Sequence, residues 1–198
     1  MEIVPWLEIF YWFRAPDPYY DPLVFKEVEM PSVLFVCTAN RFRSPLASAW
    51  FSRRLQREAD VQDWRVGSAG TWAKPGLPVF PSANWANDHF GINLEAHRAT
   101  RIEREILAKY DLILVMENSH QEALRVEFPE FKDRIFLLAK VAEGAAYDVP
   151  DPGVIHDDTF LDIARELTNL IDKGFKNICL LALQMHRIVT VSPHGYEK

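Results

Sequence analysis

The chain has 198 residues, 48% of them hydrophobic and 25% charged, and this composition excludes a disordered polymer because a substantial core can be buried. Its 22 basic and 28 acidic residues give a formal net charge of −6, which argues against a general nucleic-acid binder with a broad basic face. The two cysteines, 37 and 179, are too few for a disulfide framework and belong to no Cys/His cluster with zinc-ligand spacing.

No apolar run approaches the roughly 20 residues that a membrane-spanning helix needs. The apolar N-terminus carries Glu2 and Glu8 and has neither a basic start nor a small-residue cleavage site, so a signal peptide is not expected. We therefore expect a soluble protein without a membrane or nucleic-acid partner, in the reducing cytoplasm that free cysteines suit.

The first 30 residues differ from the rest in being rich in aromatic side chains and proline. Each proline removes a backbone donor and clashes with the preceding turn, which excludes one long helix. The aromatic side chains need cover, either from this domain or from a partner protein. We expect residues 1–30 to form an extension that precedes the domain.

From residue 31 the pattern alternates between strands and helices. Short apolar runs predict buried strands at 33–36, 64–69, 112–116 and 135–138. Helical spacing predicts a helix after the first strand, a second at 81–90 capped by Gly91, and a third opened by a Ser119-x-x-Glu122 capping box. A last helix is predicted from about Thr159 to Gly174, and another at 178–185.

This alternation predicts an α/β fold with a parallel sheet covered on both faces. We expect a domain of residues 31–174, followed at 175–198 by a C-terminal helical extension and a loose tail.

The motif that carries chemistry lies between the first strand and the following helix, and it reads Cys37-Thr38-Ala39-Asn40-Arg41-Phe42-Arg43-Ser44-Pro45. Backbone N–H groups above a helix N-terminus form a cradle for an anion, and Arg43 can bind two phosphate oxygens. The same field favours the nucleophilic thiolate form of Cys37, to which Ser44 could donate a hydrogen bond. Asn40 suits a left-handed backbone position.

Cys-x5-Arg alone often occurs by chance, and Cys37 could then be merely a small buried residue at a strand end. Here a strand precedes the motif, while Arg-Ser-Pro and a helix follow it, which favours the catalytic interpretation.

This loop and four further motifs resemble the low-molecular-weight protein tyrosine phosphatase family. The further motifs, in the family's order, are Trp64-Arg-Val-Gly-Ser68-Ala-Gly-Thr71, His97-Arg98-Ala99, Tyr110-Asp-Leu-Ile-Leu-Val-Met116 and Val149-Pro-Asp151-Pro152. The resemblance runs from Val33 to about Leu170. It implies a three-layer αβα sandwich with a four-stranded parallel sheet.

The resemblance also implies roles for individual residues. Cys37 would be the nucleophile and Arg43 the phosphate-binding residue. Asn40, Ser44, Ser68 and His97 would form a hydrogen-bond network that holds the loop. The other predicted substrate contacts come from the loop and its rim, namely Thr38, Ala39, Arg41, Phe42 and Trp72.

A phosphatase of this type needs a general acid on a separate loop, and Asp151 between Pro150 and Pro152 matches the family's Asp-Pro motif. Asp and Pro also dominate ordinary turns, which is the alternative interpretation. A similar sequence, Pro16-Asp17-Pro18, precedes the first strand, where the family has no acid loop, and we interpret it as coincidence.

Several positions depart from the family pattern. Phe42 replaces a second cysteine that many members carry, so no disulfide within the loop can protect Cys37 from over-oxidation. Arg41 adds positive charge at the rim. Gly153 follows the Asp-Pro motif where members that prefer phosphotyrosine tend to carry aromatic residues, which weakens the case for strict phosphotyrosine preference.

Trp72 and Glu117 lie near the predicted cleft. Trp72 could supply one aromatic wall of the cleft, or it could be a partly buried surface residue. Glu117 stands where the family usually has Asp, and the sequence assigns it no role.

The sequence leaves two alternatives to a phosphatase. A thioredoxin-coupled arsenate reductase shares the fold, but it needs further cysteines, and Cys179 is expected to be a buried structural thiol. A phosphate-binding or partner-docking module without turnover is the second alternative. The remaining histidines show no metal-ligand spacing and are predicted to be surface or capping residues: His89, His120, His156, His186 and His194.

We therefore expect a phosphomonoesterase that works through a phosphocysteine intermediate without a metal or other cofactor. Its expected substrate is a phosphorylated protein or a small aryl phosphate. Phosphotyrosine, phosphoarginine and small phosphate esters all remain open as substrates.

Overall fold

The sheet is built from four short strands that follow the apolar runs of the sequence. The computed structural model describes residues 30–58, 64–153 and 157–191, and its strands are β1 (Ser32–Cys37), β2 (Arg65–Gly70), β3 (Leu112–Val115) and β4 (Ile135–Leu137). Neighbouring strands are parallel, in the order β2-β1-β3-β4. The central strands β1 and β3 consist of buried residues, which explains their almost continuous apolar character.

Helices cover both faces of the sheet, as predicted. They are α1 (Arg43–Arg57), α2 (Pro81–Phe90), α3 (Arg104–Leu107), α4 (Asn118–Glu127), α5 (Leu138–Glu143) and α6 (Asp157–Val191), with a 3₁₀ helix at Pro129–Arg134. Val33 and Phe35 join a core that includes residues of α1, α5 and α6. Leu34 and Val36 point to the other face and join a core that includes residues of α3 and α4. The fold is a three-layer αβα sandwich.

The last helix corrects one prediction. It does not end at Gly174 and restart at 178, because α6 is one continuous helix of 35 residues. A Cβ atom on Gly174 would lie 2.3 Å from Cβ of Ala142 in α5, so this glycine permits close helix packing and is not a helix terminator. Beyond it, Phe175 and Ile178 stay buried in the same core, and the boundary predicted at residue 174 falls inside the helix.

The start of α4 corrects another prediction. The N-cap residue is Glu117, whose side chain makes no capping hydrogen bond, so Ser119 and Glu122 do not form a capping box. The backbone N–H of Asn118 instead donates to Oδ1 of Asp148 at 2.7 Å. An acceptor from a distant segment has therefore replaced the local cap. By contrast, α2 ends at Phe90 and Gly91 follows with φ 61°, as predicted.

Residues 1–29 of the predicted N-terminal extension, which include Asp17, lie outside the described residues, as do His156 and His194. Among the helices of the described ranges, none combines the length and apolar character needed to cross a membrane.

Candidate active site

The segment between β1 and α1 folds into a loop around the Cys37 thiol. Asn40 has φ 54°, the left-handed conformation expected for it, and its backbone N–H donates to Sγ of Cys37 at 3.3 Å. The loop rests on the end of β2, where a Cβ atom on Gly70 would lie 2.6 Å from the carbonyl oxygen of Thr38. Only glycine allows the two backbones to approach this closely.

The side chain of Asn40 ties the loop to its surroundings. Its Nδ2 donates to Oγ of Ser44 and to Oγ of Ser68, both at 2.9 Å, and its Oδ1 accepts from the N–H of Thr100 at 2.8 Å. Nε2 of His97 lies 2.8 Å from the carbonyl oxygen of Asn40. Burial lowers the pKa of His97, so its ring is neutral and Nε2–H donates this bond. The structure thus brings together the four residues of the predicted network.

Cys37 is buried next to a hydroxyl group that can stabilise its thiolate. Oγ of Ser44 lies 3.0 Å from Sγ of Cys37 and 3.1 Å from the carbonyl oxygen of Ala69. Because a hydroxyl has one proton, Ser44 can donate to only one of these acceptors at a time. A negative charge on sulfur makes it the stronger acceptor.

Arg43 is 2% exposed, and all four of its Nη hydrogens have acceptors. Nη1 donates to Oε1 of Glu117 at 2.5 Å and to the carbonyl oxygen of Val149 at 2.9 Å. Nη2 donates to Oγ1 of Thr38 at 3.2 Å and to Oδ2 of Asp151. The guanidinium is therefore held at the loop by groups from three separate segments.

Asp151 reaches the loop around Cys37 from the segment that follows α5. Val149 donates its N–H to the carbonyl oxygen of Met116, at the end of β3, at 2.8 Å. Two residues later Asp151 lies against Arg43 with its side chain 51% exposed, and its Oδ1 accepts from the N–H of Gly153 at 2.8 Å. The predicted acid is thus fixed at the site yet open to solvent and substrate.

Two residues of the site were missed or misassigned by sequence reasoning. Glu117 received no role, yet it forms an ion pair with Arg43. His120 was predicted to be a surface or capping residue, but it is 6% exposed and its Nε2 lies 3.0 Å from Oγ1 of Thr38. Both follow the carboxyl end of β3, which lies beside β1 in the sheet, and that position was the available signal.

His186 also departs from the prediction of a surface or capping residue. Its side chain is 12% exposed, and its Nδ1 lies 3.1 Å from Oδ2 of Asp111. This pair lies at the amino end of β3, whereas Cys37 lies at the carboxyl end of the parallel strand β1. His89 is exposed, as predicted.

The rim residues differ in what they offer to a substrate. Phe42 is buried against Phe160, with ring centroids 4.7 Å apart, so its side chain packs in the core and cannot line the cleft. Thr38 and Ala39 are half-buried in the loop. Trp72 donates its backbone N–H to the carbonyl oxygen of Thr38, and its side chain is 78% exposed beside the loop.

The described ranges contain no group of three or more His, Cys, Asp or Glu side chains that could hold a metal ion.

His120 should make the folding stability depend on pH. Burial lowers its pKa below the ordinary 6.5, although Glu117 opposes this, and Nδ1 has no partner among the described residues. As pH falls through 6.5, the unfolded chain takes up a proton that the folded chain does not, so stability should fall by at most about 1.4 kcal/mol per pH unit. Urea unfolding at pH 7.5, 6.5 and 5.5 should show a shallower dependence for His120→Gln than for the wild type.

The glutamine amide can still reach Thr38, so this change removes the titratable ring and keeps an uncharged polar side chain. The lowered pKa of His97 acts in the same direction, so the His120→Gln chain should keep part of the slope. Identical slopes for the wild type and His120→Gln would contradict the prediction.

Comparisons with known proteins agree with this geometry. Residues 32–181 match the model of the family described as low molecular weight phosphotyrosine protein phosphatase. A protein-arginine-phosphatase of Bacillus subtilis is 31% identical over 148 residues, which cover 74% of this chain and 95% of the relative. A low molecular weight phosphotyrosine protein phosphatase of Rattus norvegicus is 36% identical over 134 residues, 66% of this chain and 81% of the relative.

Solved structures of phosphatases also superpose on this chain. The crystal structure of a YwlE mutant from Bacillus subtilis superposes with a TM-score of 0.69 at 30% identity, covering 79% of this chain and 99% of the other. A low molecular weight protein tyrosine phosphatase from T. tengcongensis superposes with a TM-score of 0.69 at 35% identity, covering 74% and 99%.

Proposed function

The chain belongs to the low molecular weight phosphotyrosine protein phosphatase family and is a cysteine-dependent phosphatase, and we propose that it works through a phosphocysteine intermediate on Cys37. The observation that supports this mechanism best is the convergence of three predicted groups. Oγ of Ser44 lies 3.0 Å from the Cys37 sulfur, and Asp151 contacts Arg43 of the same loop. A nucleophile, an anion-binding group and an acid therefore meet at one place.

In the first step, the substrate phosphate occupies the loop and the Cys37 thiolate attacks phosphorus in line with the leaving oxygen. The P–S bond forms as the P–O bond breaks, and Asp151 transfers its proton to the departing oxygen. The loop amides and Arg43 stabilise the charge that develops on the equatorial oxygens.

In the second step, the Asp151 carboxylate accepts a proton from water, and the water oxygen attacks phosphorus. The P–S bond breaks, inorganic phosphate forms, and the electron pair returns to sulfur as a thiolate. The Ser44 hydroxyl at 3.0 Å can stabilise this thiolate as the leaving group. The cycle thus restores both Cys37 and Asp151, and it consumes one water.

Substrate binding requires Arg43 to exchange partners. Its Nη2 donates to Thr38 and Asp151, whereas its Nη1 is engaged by Glu117 and Val149. We assign Glu117 the role of holding Nη1, so that Nε and Nη2 can turn to a phosphate in a bidentate contact. The Asp151 carboxylate is thereby released from Arg43 and can take up the proton that it transfers to the leaving group.

The reductase alternative receives no support from the second cysteine. Cys179 is buried in α6, and burial raises the pKa of its thiol to about 12, so it is a poor candidate for passing a disulfide outward.

Both cysteines are free thiols. Because Phe42 leaves Cys37 without a disulfide partner in the loop, we assign the protein to a reducing compartment such as the cytoplasm.

Asp151→Asn tests the acid assignment. Without a proton donor, hydrolysis of phenyl phosphate should slow by about 10²- to 10³-fold, because phenoxide is a poor leaving group. Para-nitrophenyl phosphate should slow by no more than about tenfold, because its leaving group needs little protonation. Steady-state rates on both esters, at mildly acidic pH, measure the difference.

The matched control is Asp148→Asn, on the same segment. Asp148 accepts the N–H of Asn118 and makes no ion pair with Arg43, so this change should slow both esters equally and weakly. Asp17→Asn should have no effect on either ester. If Asp151→Asn slowed both esters to the same extent, another group would be the acid.

A further inference from the structure

The last turns of α6 carry an apolar stripe that continues past the core of the domain. Ile178 and Ala182 on this stripe are fully buried. One and two turns further on, Met185 and Val189 are only half-buried, and Ile188 beside them is 53% exposed. Met185, Ile188 and Val189 form what we call the α6 end surface. An apolar stripe that keeps helical spacing after its cover has ended is typical of a binding surface.

The α6 end surface lies close to the point where the chain enters the sheet. Nδ1 of His186 lies 3.1 Å from Oδ2 of Asp111, and the same oxygen accepts from the N–H of Ser32 at 2.9 Å. Ser32 is the first residue of β1, and the described part of the chain begins at Met30. Residues 1–29 are therefore attached to the domain next to the end of α6.

Both of these segments lie outside the part of the chain that matches the family. The match covers residues 32–181, so residues 1–29 precede it and the α6 end surface follows it. The contacts of His186 and Ser32 with Asp111 bring the two additions to the same end of the sheet. Cys37 lies at the other end of β1. Two additions that meet at one place, away from the catalytic loop, favour a contact between them.

The composition of residues 1–29 suits the surface at this end of the sheet. They contain eight aromatic residues, which can cover apolar side chains, and six acidic residues against two basic ones. The described surface around Ser32 carries exposed cations. Arg65 pairs with Ser32 in the sheet register, and the carbonyl oxygen of Lys109 accepts from Oγ of Ser32 at 3.3 Å. Opposite charges at this range attract each other.

We propose that the α6 end surface binds residues 1–29 of the same chain, with the run Leu23-Val24-Phe25 as the part that contacts it. This run lies five to seven positions before Met30. An extended chain of that length spans about 17–23 Å, whereas the turn of α6 from Met185 to Val189 is about 6 Å long. The run can therefore reach the surface, and Glu27 and Glu29 follow it where the cations lie.

A second copy of the chain is the alternative occupant of the same surface. A segment attached a few residues away is present at an effective concentration in about the millimolar range. A second copy competes only at its concentration in solution. The attachment at Met30 therefore favours the segment of the same chain.

The first test measures how fast chymotrypsin cleaves the full-length chain after the aromatic residues of 1–29, with the products identified by mass spectrometry. Ile188→Asp puts a negative charge on the α6 end surface, which removes an apolar contact and repels an acidic segment. Cleavage within residues 1–29 should become about tenfold faster than in the wild type. Hydrolysis of para-nitrophenyl phosphate should be unchanged, because Cys37 lies at the other end of β1.

The matched control is Val126→Asp, which puts the same charge on an apolar residue that is 81% exposed on α4. This variant should be cleaved within residues 1–29 at the wild-type rate. Equal rates for Ile188→Asp and the wild type would overturn the inference. A wild-type rate that rises on dilution from about 100 to about 1 μM would also overturn it, because the occupant would then be a second copy.

Phe25→Asp tests the contact from the other side and changes no residue of the domain. Amide hydrogen exchange over residues 183–189 should become about tenfold faster than in the wild type, because the α6 end surface loses its cover. Unchanged exchange in Phe25→Asp would contradict the assignment of Leu23-Val24-Phe25, and this result stands even if Ile188→Asp does not fold.

Discussion

Replacing Cys37 with serine should reduce turnover by about 10⁴-fold or more while leaving affinity for inorganic phosphate within a few-fold of the wild type. A serine hydroxyl at neutral pH is a far weaker nucleophile than a thiolate. The groups that bind the anion are unchanged, because the loop is held by Asn40 and by Arg43 rather than by the sulfur. The variant should therefore separate binding from chemistry.

Two measurements check this expectation: the steady-state rate on para-nitrophenyl phosphate, and the phosphate affinity from calorimetry. Cys179→Ala is the matched control, since that thiol is buried in α6 and should be dispensable for turnover. Iodoacetate should inactivate the wild type and Cys179→Ala at similar rates. Turnover of Cys37→Ser within about 100-fold of the wild type would refute the phosphocysteine mechanism.

The sequence could predict the part of the site that is local in the chain. Cys37, Asn40, Arg43 and Ser44 lie within eight residues between a strand and a helix, so strand and helix prediction alone brings them together. The strands themselves were predictable because a parallel sheet buried on both faces requires nearly continuous apolar runs. The three-layer architecture follows from the alternation of these elements.

The parts that the sequence did not yield depend on which elements become neighbours. Glu117 and His120 reach the loop because β3 lies directly beside β1, an order that no local pattern encodes. Gly174 follows the predicted helical pattern directly, as a glycine that ends a helix would. Its role is instead to allow close packing against Ala142, 32 positions earlier in the chain. Asp148 replaces a side-chain cap at the start of α4 in the same non-local way.

Arg43→Lys should be nearly as damaging as the loss of the nucleophile, with kcat reduced by about 10³-fold. The guanidinium donates four bonds at once, to Glu117, Val149, Thr38 and Asp151, and an ammonium has only three hydrogens and no planar fork. A lysine attracted to either carboxylate cannot also bind two equatorial oxygens of the phosphate. The loss should therefore fall on the transition state more than on substrate binding.

Stability should change as well, because Arg43 is 2% exposed and its neighbours would lose partners. With at least one acceptor left unpaired in a buried site, the free energy of unfolding should fall by about 1–3 kcal/mol. Arg54→Lys is the matched control on α1. Arg54 pairs with Glu58 and Asp172 at the partly exposed surface, where lysine can replace it with little effect on either activity or stability.

The two readouts together distinguish a catalytic arginine from a structural one. If Arg43 served only to hold the loop, Arg43→Lys would lower stability, while the folded fraction would keep its kcat. If it binds the phosphate in the transition state, kcat should fall by about 10³-fold at a temperature where the variant is fully folded. The affinity for vanadate, whose trigonal complex resembles the transition state, should then fall more than the affinity for inorganic phosphate does. A folded Arg43→Lys protein with kcat within tenfold of the wild type would show that the bidentate contact with Arg43 is not what stabilises the transition state.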